Sequence, residues 1–215
     1  MVPQPFSDAG IMGTLRPASL VDVLRALAPA WGDVFLDVGV GHGAMLGAMH
    51  QVHLAVELRG VDADPNLVEA ARDNLARLRT SAALAVRSVH TMRDLGEGVT
   101  LAYSFCDGLR PADALAALLA ACHRTPTLRR ACLVHNAVGR HALRDHVEAL
   151  DARVVRHFPV RQTGSGAQYR AWVLDLEEAR RLGVAAPGVA AERATRESER
   201  SRAGGGRTTP RHASR

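Results

Sequence analysis

The chain has 215 residues, 47% hydrophobic and 23% charged, which fits one globular domain with some additional chain and excludes a wholly disordered protein. Its net charge of +5 comes from 27 basic residues, all arginine, against 22 acidic residues, with the excess concentrated near the C-terminus. The three cysteines form no CxxC pair, and no apolar stretch approaches the ~20 residues that span a bilayer, so we expect an intracellular protein, cytoplasmic or nuclear.

Apolar runs of strand length alternate with segments of helical period, a pattern typical of an α/β fold with a mostly parallel sheet. In chain order, helices are predicted at residues 19–27, 44–52, 65–78, 111–122 and 140–150. Strands are predicted at residues 34–38, 58–62, 84–89, 100–105, 131–135, 153–160 and 169–176. Because no helix separates the last two strands, they should form an antiparallel hairpin. This order predicts a three-layer, Rossmann-like sheet of seven strands, mostly parallel, as in class I methyltransferases.

A carboxylate and three glycines follow the first predicted strand. Asp37, Gly39, Gly41 and Gly43 stand in the segment VFLDVGVGHGAML, directly before a helical pattern. Glycine permits positive φ and lets the backbone approach a ligand closely. Asp37 could bind the ammonium group of S-adenosylmethionine, whereas it would repel the pyrophosphate of a dinucleotide, whose sites use GxGxxG.

A second acidic segment, LRGVDAD, ends the second predicted strand. Asp62 lies about 20 residues after the glycine loop, where a carboxylate can accept hydrogen bonds from ribose hydroxyls. Ala63 follows it, and Asp64 is predicted to cap the next helix instead. Together with Asp37 and the terminal hairpin, this spacing favours S-adenosyl-L-methionine as the cofactor. The alternatives are an oxidoreductase and a Rossmann-like domain without catalysis.

Over about residues 13–176 the sequence resembles the disruptor-of-telomeric-silencing family, the non-SET histone-lysine methyltransferases. Its glycine loop and GVDADP segment resemble those of the family, although many methyltransferases share both features. More particular are Met12-Gly13-Thr14 in place of a Tyr-Gly-Glu loop, LAYSF at residues 101–105 in place of Asn-Asn-Phe, and Thr163-Gly164 followed by Tyr169. The family's glutamate is replaced by Thr14, and its paired asparagines are replaced by Tyr103 and Ser104.

The resemblance implies roles for these residues. Gly13 and Thr14 would help hold the cofactor, Ser88 and Val89 would lie against adenine at the end of the third strand, and Ser104, Phe105 and Tyr169 would serve the reaction. Phe105 and Tyr169 would line the acceptor channel, with core packing as the alternative. The implied partner is a protein substrate, a histone or nucleosome. Acceptors such as RNA or a small molecule, and a binding module without turnover, remain as alternatives.

We expect three regions along the chain. Residues 1–17 would contribute a loop to the cofactor site, residues 18–179 would form the methyltransferase domain, and residues 180–215 would be a disordered tail. The tail carries nine arginines against three glutamates, which predicts nonspecific contact with nucleic acid, or else a solvated tail without a partner. No metal site is predicted, because HExxH is absent and the histidine pairs have no further ligand at suitable spacing.

Overall fold

The computed structural model describes residues 14–53, 55–106, 113–136, 153–165 and 167–177. Its strands are β1 Val34–Val38, β2 Glu57–Asp62, β3 Ala83–Val86, β4 Leu101–Phe105, β5 Arg130–Asn136, β6 Arg153–Arg161 and β7 Gln168–Asp175. Its helices are α1 Pro17–Leu27, α2 Ala44–Val52, α3 Pro65–Arg77 and α4 Asp113–Arg124, with a short 3₁₀ turn at Val89–Thr91. None of these helices is long and apolar enough to cross a membrane.

The seven strands form one sheet in the order β3-β2-β1-β4-β5-β7-β6. Strands β1 to β5 pair in parallel, whereas β7 pairs antiparallel with both β5 and β6. The order of connection reverses between β1 and β4, so a crevice opens above the carboxyl ends of these two strands. The predicted methyltransferase sheet with its terminal hairpin is therefore confirmed.

Each face of the sheet has its own hydrophobic core. Side chains alternate along each strand, so Phe35 of β1 packs on the face covered by α1, α2 and α3, while Leu36 packs against α4 on the other face. Because both faces of the sheet are covered, β4 is buried along its whole length. Strands in this position have almost continuously apolar sequences.

Proline at the first helical position marks the start of two helices, α1 and α3. Asp64 caps α3 by accepting a hydrogen bond from Asn66 N at 2.8 Å, and Pro65 takes the first helical position, as predicted. Helix α1 starts at Pro17, two residues before its predicted start, because proline fixes a helical φ at a position that needs no N–H donor.

The third strand differs from its prediction. β3 ends at Val86, and Ser88 then caps the 3₁₀ turn, with its hydroxyl oxygen accepting a hydrogen bond from His90 N at 3.4 Å. Ser88 and Val89 therefore follow the strand instead of ending it. Gly13, the predicted helix start at Pro111, the predicted helix at residues 140–150 and the tail at residues 180–215 lie outside the described residues.

Asp33 fixes the amino end of the sheet just before β1. Its carboxylate accepts hydrogen bonds from Thr100 Oγ1 at 2.8 Å and from Ala30 N at 2.7 Å, and it pairs with the Arg129 guanidinium at 2.6 Å. These contacts connect the starts of β1, β4 and β5, so the carboxyl ends of the strands are held in a defined register.

Candidate functional site

The glycine loop leaves β1 and enters α2 through three residues with positive φ. Gly39, Gly41 and Gly43 have φ of 83°, 51° and 79°, a region that residues with a Cβ rarely adopt. The amides of Gly39 and Val40 both donate to Val61 O, at 2.8 and 2.9 Å. These bonds hold the loop against the end of β2, and the backbone conformation they fix explains why the sequence requires glycine here.

Two of these glycines face open space. A Cβ built on Gly39 would meet no atom within 4 Å, and one built on Gly41 would meet only Gly39 O at 4.0 Å. At Gly43, by contrast, a Cβ would lie 3.2 Å from Leu75 Cγ of α3. Gly39 and Gly41 thus leave room for a ligand to approach the backbone, whereas Gly43 lets α2 and α3 pack closely.

Asp37 lies at the base of the loop with an unused acceptor. The residue is 2% exposed, and its Oδ1 atom is buried without a hydrogen-bond partner among the described residues. Burial, and secondly the nearby Asp62 carboxylate, raises the pKa of Asp37 well above its ordinary value. A cationic hydrogen-bond donor placed here would satisfy Oδ1 and offset the burial of charge. The residues therefore fit an ammonium group.

Asp62 ends β2 as a carboxylate held by the backbone. Its Oδ2 accepts a hydrogen bond from Gly41 N at 3.0 Å, and its Oδ1 accepts one from Asp64 N at 3.1 Å. Each carboxylate oxygen can accept a second bond, so the half-buried group retains capacity for two ligand hydroxyls. Ala63, the next residue, is exposed beside it.

The segment after β3 borders the Asp62 end of the site. Arg87 N donates to Asp62 O at 2.7 Å, which fixes the start of this segment beside β2. Ser88 is half-buried, whereas Val89 is buried in the core on the α4 face. The structure thus places Ser88 one residue after the contact with Asp62, and it directs the side chain of Val89 into the core.

Strand β4 contributes two polar side chains with different surroundings. The buried Ser104 hydroxyl donates to Val38 O at 2.8 Å, so it joins β4 to β1. Tyr103 pairs in register with Asp37, and burial followed by the proximity of Asp37 raises the pKa of its hydroxyl. The sequence prediction did not include Tyr103 among the site residues. Only the pairing of β1 with β4 places it beside Asp37.

Phe105 and Tyr169 meet at the carboxyl edge of the sheet. Their ring centroids are 4.8 Å apart at an interplanar angle of 60°, and both rings are buried on the face covered by α1. The Tyr169 hydroxyl lies 3.3 Å from Oε1 of the buried Gln162, a polar residue that the sequence prediction also omitted. The structure brings the two rings into contact, and their role in lining an acceptor channel stays a prediction.

The N-terminal segment pairs with the end of the β6–β7 hairpin. Thr14 O accepts a hydrogen bond from Thr163 N at 2.7 Å, and Arg16 N donates to Arg161 O at 2.8 Å. Leu15, between them, forms a bridge with Gln162 and packs in the same core as Phe105 and Tyr169. Thr14 therefore lies at the hairpin side of the carboxyl edge.

Comparison with known proteins assigns the central part of the chain. Residues 35–126 match the family model of a methyltransferase domain. Among curated proteins, none matches this sequence.

Solved structures share the fold at low identity. TrmN from Thermus thermophilus superposes with a TM-score of 0.63 at 18% identity, over 78% of this chain and 51% of TrmN, so the chain spans about half of that protein. Magnesium protoporphyrin IX methyltransferase from Synechocystis PCC 6803, with bound SAM, gives 0.61 at 13% identity, over 74% and 78% of the two chains. Geranyl diphosphate C-methyltransferase from Streptomyces coelicolor A3(2), in complex with S-adenosyl-L-homocysteine, gives 0.59 at 13% identity, over 74% and 78%.

Proposed function

We propose that the chain transfers a methyl group from S-adenosylmethionine to a lysine side chain of a histone-like protein, since residues 35–126 match the model of a methyltransferase domain and lie within a seven-stranded methyltransferase sheet. S-adenosylmethionine is the methyl donor, as it is bound by magnesium protoporphyrin IX methyltransferase on the same fold. The lysine acceptor is supported by the family resemblance of the sequence and by the Phe105–Tyr169 pair at the carboxyl edge.

The single observation that carries the cofactor assignment is the buried Asp37 Oδ1, which has no partner among the described residues and lies at the base of a loop where Gly39 and Gly41 face open space. Asp37 would accept the ammonium of the donor, and Asp62 would accept its ribose hydroxyls. The backbone at Gly39 and Gly41 would lie against the bound molecule. A pyrophosphate in the same position would meet two carboxylates, which disfavours a dinucleotide.

The donor supplies an electrophilic methyl group on a sulfonium, so the protein mainly has to position the acceptor. Alignment of two reactants can contribute up to about 7–11 kcal/mol. A lysine must first lose its proton, which costs on the order of 4–5 kcal/mol at neutral pH. The buried aromatic pair of Phe105 and Tyr169 would lower this cost, because an apolar environment disfavours the ammonium form.

Transfer of a labelled methyl group to a panel of histones, nucleosomes, RNA and small molecules tests this proposal. We expect label in protein lysine, and its loss when the target lysine is replaced by arginine. Label in RNA or a small molecule would contradict the lysine acceptor and leave methyl transfer intact. Binding of S-adenosylmethionine without label in any acceptor would favour a binding module.

A further inference from the structure

We propose that the outer edge of the sheet binds the phosphodiester backbone of a nucleic acid through Arg16, Arg156 and Arg161. We call these three residues the arginine ridge. The inference does not depend on the methyl acceptor, and it concerns the folded domain and not the arginine-rich C-terminal segment.

Two of the three ridge residues, Arg156 and Arg161, lie in a segment whose charged side chains are all positive. Residues 153–174 contain four arginines and no aspartate or glutamate, although the whole chain carries 22 acidic residues. Asp22 of α1, which packs next to β6, is engaged with Arg25 in the same helix. Asp175 of β7 pairs with Arg153 at the end of the hairpin away from Arg161, and β6 itself contains no acidic residue.

Pairing of the N-terminal segment with β6 brings the arginines together. β6 is the last strand of the sheet, and the bond from Arg16 N to Arg161 O places these two residues side by side at its carboxyl end. Arg156 lies further back on the same edge strand, on the opposite face from Arg161, and all three residues are exposed. Val160, one residue before Arg161, pairs with Tyr169, so the ridge adjoins the predicted acceptor channel.

Within the described part of the chain, no ion pair engages the guanidinium groups of the ridge. The ion pairs found among the described residues involve Arg25, Arg59, Arg72 and Arg129, none of which belongs to the ridge. Arg156 instead lies over the Phe158 ring, 5.3 Å from its centroid. An arginine held this way keeps its donors free, and it can bind a phosphate with two parallel hydrogen bonds.

Aromatic rings alternate with the charges on this edge. The exposed His157 stacks on Trp172 at a centroid distance of 5.4 Å, on the face of the edge strand opposite to the Arg156–Phe158 pair, so each face carries an aromatic pair. Surfaces that bind single-stranded nucleic acid combine cationic groups along the backbone with rings on which bases stack. An acidic protein would use the charges alone, so the combination favours a nucleic acid as the partner.

Fluorescence anisotropy with labelled single-stranded RNA and DNA oligonucleotides tests the ridge in the full chain. The variant Arg16→Gln/Arg156→Gln/Arg161→Gln is compared with Arg77→Gln/Arg79→Gln/Arg93→Gln, which removes the same charge from exposed positions outside the ridge. We expect the ridge variant to bind roughly tenfold more weakly at low salt, and its logarithmic salt slope to fall by about 2, since each phosphate contact in a single strand contributes about 0.7. The control should change much less, and the RNA and DNA arms identify which nucleic acid is preferred.

If both variants bind the oligonucleotides equally weakly, the proposed role of the ridge is wrong, because binding would then depend on net charge alone. Competition by polyglutamate at an equal number of charges, as effective as competition by unlabelled oligonucleotide, would also overturn it. Calorimetry with S-adenosylmethionine on the same proteins separates this result from the proposed function. We expect both variants to bind the cofactor with unchanged affinity. If the wild type does not bind S-adenosylmethionine, the proposed methyl donor is wrong, but the proposed nucleic-acid binding by the ridge is unaffected.

Discussion

Asp33 and Asp37 are buried carboxylates at opposite ends of β1, and their hydrogen bonding distinguishes a structural acid from a site acid. The Asp33 carboxylate is bonded through both oxygens, to Thr100, Ala30 and Arg129. Asp37 has a buried oxygen without a partner among the described residues. An unpaired buried acceptor costs free energy, so its presence next to an open glycine loop indicates a position prepared for a ligand donor.

Replacement of Asp37 by asparagine should stabilise the protein without cofactor while weakening cofactor binding. Burial raises the pKa of Asp37, so the stability it contributes is full below the ordinary aspartate pKa and is lost as pH rises through the folded-state pKa. The gain in Tm for Asp37→Asn should therefore be present at neutral pH and disappear towards pH ~4. Thermal melts across pH provide the measurement, and a variant less stable than wild type at neutral pH would contradict it.

Cofactor affinity should itself depend on pH through Asp37. An ammonium group favours the carboxylate form, so binding should release a proton wherever Asp37 is protonated in the free protein. Affinity for S-adenosylmethionine should then rise with pH by up to about tenfold per unit over that range. Calorimetry in buffers of different ionisation enthalpy measures the released proton directly. The Asp37→Asn variant should bind about 10–100-fold more weakly and show no such proton release.

Gly39 and Gly32 form a matched pair for testing the loop. Both have φ near 80°, at 83° and 81°, and a Cβ at either position would meet no atom within 4 Å. Alanine at each should cost about 1–2 kcal/mol of folding stability through the same backbone strain. Only Gly39→Ala should also reduce cofactor affinity, by tenfold or more, since its Cβ would occupy ligand space. Equal affinity in the two variants would place the cofactor elsewhere.

At the scale of elements, Gly60 of β2 allows the glycine loop to pack closely on the strand, because glycine has no side chain. A Cβ there would lie 2.7 Å from Val40 Cγ2 and 2.9 Å from a Leu84 methyl carbon, so Val40 of the loop packs directly over the strand. The sequence motif gives no indication of this contact, because Gly60 lies about 20 residues from the loop and is brought to it only by the pairing of β1 with β2.

Gly60→Ala should therefore destabilise the protein by about 1–3 kcal/mol and shift the glycine loop. Gly47→Ala in α2 is the control, because the one close contact of its Cβ would be the Leu78 methyl at 3.0 Å, the end of a half-exposed side chain, with Leu75 Cδ2 at 4.0 Å, and because alanine favours the helix. Chemical denaturation compares the stabilities, and calorimetry should show weaker cofactor binding in Gly60→Ala alone. A stable Gly60→Ala variant with normal affinity would contradict this account of the loop.

The contact between β4 and β7 provides a second test at this scale. Replacement of Phe105 or Tyr169 by alanine should reduce methyl transfer while cofactor affinity stays nearly unchanged, because both rings lie at the carboxyl edge beyond Tyr103 and Asp37. Equal loss of affinity and transfer, or unfolding of the ring variants, would favour core packing.

At the scale of the whole molecule, residues 180–215 are proposed to add nonspecific attraction for nucleic acid. Their nine arginines against three glutamates should contribute through counterion release, which depends on charge and not on fold. Removal of this segment should leave Tm and cofactor affinity unchanged, weaken DNA or nucleosome binding at low salt, and flatten the salt dependence. If the truncated protein binds DNA or nucleosomes as well as the full chain does, the proposal of a chromatin target has little support.

The sequence alone determined the features that depend on local order. Alternating strand and helix patterns predicted seven strands and the terminal hairpin, and the Asp64-Pro65 pair predicted the start of α3. The glycine loop and the acids at Asp37 and Asp62 were predicted because each stands at a strand end in the chain itself. These signals are local, since they arise from backbone preference and periodicity within a few residues.

Tertiary structure decided what depends on strand pairing. The register of β1 with β4 places Tyr103 beside Asp37, and the Ser104 hydroxyl joins the two strands. Within the described part of the chain, Asp37 Oδ1 is left without a hydrogen-bond partner. The fit of Val40 over Gly60, and the pairing of Arg16 with Arg161, likewise join positions far apart in the chain. Burial and hydrogen-bond satisfaction belong to the assembled sheet, so no pattern within a single segment could have shown which polar groups remain free for a ligand.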